Sequence, residues 1–75
     1  MDILHNLAKE IMLLCKEKGL DNDETFVIGA MANSVDAVNK FGEETALRMA
    51  IEVIKICEND FTMISFALQQ LFGII

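Results

Sequence analysis

Residues 35–58 read VDAVNKFGEETALRMAIEVIKICE, and whether they form one helix or two decides the shape of the chain. Apolar residues recur at helical spacing on both sides of Gly42. Carried through that glycine at constant pitch, the centre of the apolar stripe jumps by roughly 130°. One straight helix would therefore turn part of its apolar face away from any core. Glycine is also the residue that most readily takes the left-handed backbone ending a helix. Phase and residue type agree on a tight turn at Gly42.

Downstream of the turn, residues 43–58 place Ala46, Leu47, Met49, Ala50, Ile51, Val53, Ile54, Ile56 and Cys57 over an arc of about 220°. The polar strip that remains, Glu44, Arg48, Glu52 and Lys55, is linked by charge pairs three and four residues apart. So narrow a strip means that the helix is central, or that its second apolar flank meets another chain. A fourth helix is expected over about 60–72, with Phe61, Ile64, Ala67, Leu68, Leu71 and Phe72 on one side. Its stripe is offset from the third by only about 40°. Asn59 and Asp60 look like a helix end followed by an N-cap, which favours a break. The alternative is a single bent helix projecting an apolar arm.

Upstream of the turn, a second helix is expected over 22–41, opened by Asp21 three residues before Glu24 in the manner of a capping box. Val27, Ala30, Met31, Ser34, Val35, Ala37, Val38 and Phe41 form its apolar face, and Phe26 and Ile28 widen it on either side. The first helix, 2–18, places Ile3, Leu4, Leu7, Ala8, Ile11, Leu14 and Cys15 in an arc of roughly 140°. Asp2 caps it, Gly19 stops it, and Leu20 is spaced to touch Cys15. The expected fold is all-α: a small bundle of four helices (2–18, 22–41, 43–58 and 60–72) with antiparallel neighbours, forming one helical domain over 1–75.

Composition narrows the function. Apolar residues make up 53% of 75, which excludes a disordered tail, and the net charge of −6 argues against a protein that neutralises nucleic-acid phosphates. The start of the chain lacks a basic region followed by an apolar one, and residues 61–75 are too short and too polar to span a bilayer. A cytoplasmic location with reduced thiols is expected, without nucleic acid or a membrane span. A core this small only just offsets the entropy of ordering the chain. Its apolar content exceeds what a compact monomer readily hides, so self-association, as a homodimer or higher oligomer, is expected to complete the bundle.

Residues able to do chemistry have plainer roles. His5, the sole histidine, lies on the polar face of the first helix without an orienting carboxylate or nucleophile beside it. Cys15 and Cys57 sit in apolar arcs near helix C-termini, where thiols pack as small hydrophobes, and two cysteines cannot complete a zinc site. Asp21, Asp23 and Glu24 lack the spacing and glycine of a calcium loop and serve as caps. No catalytic residue, metal or cofactor is expected. The strip Gly29, Asn33, Asp36, Lys40 runs along one line of the second helix and, with Arg48, could hold a polar group. Otherwise these residues are a solvated face and an ion-pair ladder.

The leading expectation is a non-catalytic helical module that binds protein as a homo-oligomer: an adaptor, a regulatory subunit or an inhibitor. Its interface would use Met12, Leu13, Phe26, Ile28, Met49, Ile56, Met63 and Phe66. The alternative is a small polar or anionic ligand held between subunits by Asn33, Asp36, Lys40 and Arg48. Acidic mimicry of nucleic acid is a weaker third reading, because the acids are spent on helix starts and ion pairs.

Overall fold

Asp2 opens the first helix, α1 (Ile3–Glu17), by accepting a hydrogen bond from the Leu4 amide at 3.0 Å in its carboxylate. That satisfies one of the amides a helix start leaves without a partner. The computed structural model describes residues 2–57 and 60–74. α1 ends as its sequence implies: the Leu20 amide donates to the Cys15 carbonyl and Gly19 to that of Lys16, both at 3.0 Å. Gly19 has φ +82°, so this is a Schellman ending.

α2 (Asn22–Ala32) begins with a complete capping box. Asp21 accepts from the Glu24 amide at 2.8 Å, and the Glu24 carboxylate accepts from the Asp21 amide at 3.0 Å. The expected single helix over 22–41 is then corrected: it is two helices, α2 and α3 (Val35–Phe41), separated at Asn33 and Ser34. Ser34 takes an extended backbone and its hydroxyl accepts from the Ala37 amide at 3.2 Å, making it the N-cap of α3. Asn33 donates through its side-chain amide to the Gly29 carbonyl at 3.1 Å, occupying an acceptor at the end of α2. Both side chains offer the backbone an alternative to continuing the helix. The described residues thus form five helices, not four, and no strand.

The turn at Gly42 is present. With φ +86° and ψ 160°, that one residue joins α3 to α4 (Glu43–Ile56). No side chain caps α4, but Glu43 and Glu44 place negative charge in its first turn, where the helix dipole favours it. The break before the last helix is present too. Cys57 is extended, and Asp60 caps α5 (Phe61–Phe72) by accepting from the Thr62 amide at 2.9 Å. Asn59 and Glu58 lie outside the described residues.

The wide arc of α4 is explained by its position. It touches all four other helices and buries Ala46, Leu47, Ala50, Ile51, Val53 and Ile54. α2 also touches all four. α1 packs most extensively on α4, and the two run in the same direction. Leu47 shares a groove with Ala8 and Ile11, while at the far end Lys18 Nζ donates to the Cys57 carbonyl at 2.9 Å. α5 adds Ile64, Leu68 and Phe72, and the Phe72 ring lies 6.0 Å from that of Phe41, tilted by 59°. Among the described residues no polar side chain is buried, and no helix is long and apolar enough to cross a membrane.

Candidate functional site

α2 is apolar around nearly its whole circumference. Ile28, Met31 and Ala32 turn into the core, yet Phe26 on the other side is 76% exposed. The outward stripe Phe26, Gly29, Ala30, Asn33 has the i, i+3, i+4, i+7 spacing of a helix interface. Beside it, between α1 and α2, lies a groove of about 580 Å³. Ala8, Ile11 and Met12 form one wall, the outward stripe of α2 forms the other, and Leu47 of α4 closes the floor. Its lining is almost wholly apolar, with Asn22, Thr25 and Asn33 supplying the polar groups.

Gly29 gives the groove its depth. A glycine inside a helix costs about 0.5–1 kcal/mol relative to alanine. A Cβ added here would meet nothing within 4 Å, so no contact within the chain accounts for that cost.

A second apolar face lies on α4 and α5. A shallow concavity of about 290 Å³ is lined by Met49, Val53, Ile56 and Leu71 and bordered by Arg48 and Glu52. Ile56 is 77% exposed. Met63, Ala67 and Leu71 follow one another four residues apart, so this face continues along α5 toward exposed Phe66.

The eight expected interface residues therefore divide. Met12 and Phe26 border the first groove. Ile56, Met63 and Phe66 are exposed on or beside the α4–α5 face, where Met49 is half-buried. Leu13 is exposed but solitary, because Lys9, Glu10, Lys16 and Glu17 occupy the neighbouring positions on its helix face. Ile28 is placed differently from the expectation: it is fully buried at the centre of the α2 core face, with no surface to offer a partner.

The four residues proposed for a polar ligand are not brought together within the chain. Asn33 lines the first groove, Asp36 and Lys40 border a concavity of about 330 Å³ near Phe72 and Gly73, and Arg48 borders the α4–α5 face. The break at Ser34 is the reason, since it ends the straight line through Gly29, Asn33, Asp36 and Lys40. Arg48 Nε pairs with Glu44 at 3.0 Å, four residues back, as a rung of the expected ladder. Lys40 Nζ lies 3.3 Å from where a Cβ on Gly73 would stand, at the C-terminal end of α5, where a cation is favoured.

The thiols are unequal. Cys15 is fully buried, and burial pushes its pKa up, with the neighbouring Thr25 hydroxyl a lesser influence in the opposite direction. Cys57 is only half-buried. His5 is exposed, and among the described residues no three His, Cys, Asp or Glu side chains are placed to hold a metal ion.

Sequence reasoning passed over Ala8, Ile11, Asn22, Thr25, Ala30 and Leu47 as groove residues. The signal for part of it was the second apolar stripe of α2, visible once that helix is read alone. No protein-family model, curated protein or solved structure matches this chain, so its site is defined by its own geometry.

Proposed function

We propose that this protein is a non-catalytic helical interaction module that works as a homo-oligomer, in the role of an adaptor, a regulatory subunit or an inhibitor. The observation that carries this reading is α2, apolar on its outward as well as its inward side, with Phe26 76% exposed at the mouth of an apolar groove. Phe26 and Met12 together expose on the order of 250 Å². At about 25 cal/mol per Å², burying that area from two copies contributes roughly 12 kcal/mol. Association costs about 4–15 kcal/mol in lost freedom, so the net is an assembly that depends on concentration. In this reading the chain acts as one domain, and its two cysteines stay reduced, as they would in the cytoplasm.

Native mass spectrometry over a concentration series tests it and suits a chain without Trp or Tyr. The expected result is a dimer or higher assembly at an integral multiple of the chain mass. A bare monomer at every concentration refutes self-association. Extra mass that leaves on denaturation would instead favour a bound small ligand.

A further inference from the structure

We infer that two copies of this chain pair through the outward face of α2, each seating its Phe26 in the α1–α2 groove of the other. This rests on the self-association reading above and names its surface. A two-fold contact needs a face that complements itself, so a protruding group and a recess must lie side by side on one chain. Phe26 is the protrusion. The recess opens one turn further along α2, above Gly29, where an added Cβ would meet nothing within 4 Å. A missing side chain at such a point lets a second backbone approach closely.

Charge decides between a second copy and a stranger. A chain of net charge −6 repels its own kind unless the contact carries its own compensation. Three of the six cations are engaged within the chain by a hydrogen bond or an ion pair, and a fourth stands at a helix end. Lys18 binds the Cys57 carbonyl, Arg48 pairs with Glu44, Lys55 lies 4.0 Å from Glu10, and Lys40 sits at the end of α5. Lys9 and Lys16 have no ion pair among the described residues; both are exposed and flank Met12 on the groove edge of α1, three residues before it and four after. Asp23, exposed in the first turn of α2, likewise has no cation beside it among those residues.

α1 and α2 run in opposite directions: Cys15 meets Thr25 near their turn, while Ala8 and Asn33 share the groove. A two-fold axis near Gly29 lays the second α2 antiparallel to the first and carries its Asp23 to the Lys9 end. The pairing occurs twice per dimer. Phe26 and Met12 alone supply about 250 Å² from each copy, about half of the roughly 1,000 Å² in total that a specific interface needs, and exposed Asn22, Ala30 and Asn33 lie beside them on the same face.

Analytical ultracentrifugation and native mass spectrometry on the full chain test this face. Wild type is expected to be a dimer. Gly29→Leu fills the recess from its solvent side, where an added Cβ meets nothing within 4 Å, so it should be monomeric with an unchanged helical spectrum and undiminished thermal stability. Phe26→Asp should raise the dissociation constant by more than about 30-fold, the scale of an aromatic anchor. Lys9→Glu and Asp23→Lys should each weaken the dimer by about three- to tenfold, and the double variant should regain most of the loss. Ile56→Asp, on the α4–α5 face, should remain dimeric. A dimer that survives both Gly29→Leu and Phe26→Asp, or is lost in Ile56→Asp alone, overturns this face and leaves self-association standing. A double variant no tighter than the single ones overturns the Lys9–Asp23 pairing. A wild-type monomer at all concentrations overturns the functional reading itself.

Discussion

Replacing Gly29 and Gly42 by alanine, one at a time, should change stability in opposite directions. Neither added Cβ would meet an atom within 4 Å, so sterics with neighbours are equal and only the backbone differs. Gly29 lies inside α2, where alanine gains about 0.5–1 kcal/mol. Gly42 has φ +86° and ψ 160°, a region that residues with a side chain enter at a cost of about 1–3 kcal/mol. Unfolding entropy of about 2.1 cal/mol/K per residue gives about 160 cal/mol/K for this chain. Gly29→Ala should then raise Tm by about 3–6 °C and Gly42→Ala lower it by about 6–19 °C. Thermal melts followed by far-UV circular dichroism, at dilutions where the chain is monomeric, measure this without a contribution from association. A lower Tm for Gly29→Ala would mean that some group already occupies the recess. An unchanged Tm for Gly42→Ala would mean that the α3–α4 corner relaxes without it, and the reasoning from backbone angles would fail.

Other outcomes follow from single contacts. Lys18→Met keeps the aliphatic stem but removes the ammonium from the Cys57 carbonyl, and should cost about 1–3 kcal/mol in urea denaturation. An unchanged midpoint would show that water replaces the bond at no cost. Asp60→Ala strips the N-cap of α5 and should cost about 1 kcal/mol, read as a drop in Tm; equal stability would count against that cap. A thiol reagent should label Cys57 well before Cys15, with labelling of both together counting against the burial difference. Because the folded Cys15 pKa is raised, the unfolded thiol ionises first as pH climbs past about 8.5, and the folded state then binds the extra proton. Stability should therefore fall with rising pH in that window, by up to about 1.4 kcal/mol per unit, and Cys15→Ala should lack that component. Parallel pH curves for the two proteins would sink the argument.

What the sequence made legible was local. Asp2, Gly19, Asp21, Glu24, Gly42 and Asp60 announce helix ends through hydrogen bonds or backbone angles that involve only near neighbours, and each acts in the structure as its type implies. The Asn33–Ser34 break was missed because apolar residues continue at helical spacing across it. Averaging phase over 22–41 moved the expected face toward Val27 and Val35, which are exposed, and left Ile28 at its edge instead of its centre. Ser34 carried the missing signal as an N-cap three residues before Ala37. The 220° arc of the third helix left two meanings open, and only the packing shows that its own chain covers most of that arc while Ile56 at one end stays exposed. The groove was hardest to see, because it combines α1, α2 and a floor residue from α4 that no spacing within one helix connects.

The partnership of α1 with α4 also bears on how the protein is made. Lys18 waits for an acceptor 39 residues further along the chain, and the apolar side of α1 waits for the same helix. At synthesis rates of about 5–20 residues per second, that interval lasts roughly 2–8 s. α2 and α3 emerge within it, but α3 makes no contact with α1, and α2 meets α1 along a splayed groove. Nascent chains halted before α4 therefore present the first helix as an open apolar surface. Folding on the ribosome should wait for α4, with a stop before that helix is complete yielding an aggregation-prone fragment instead of a smaller stable protein.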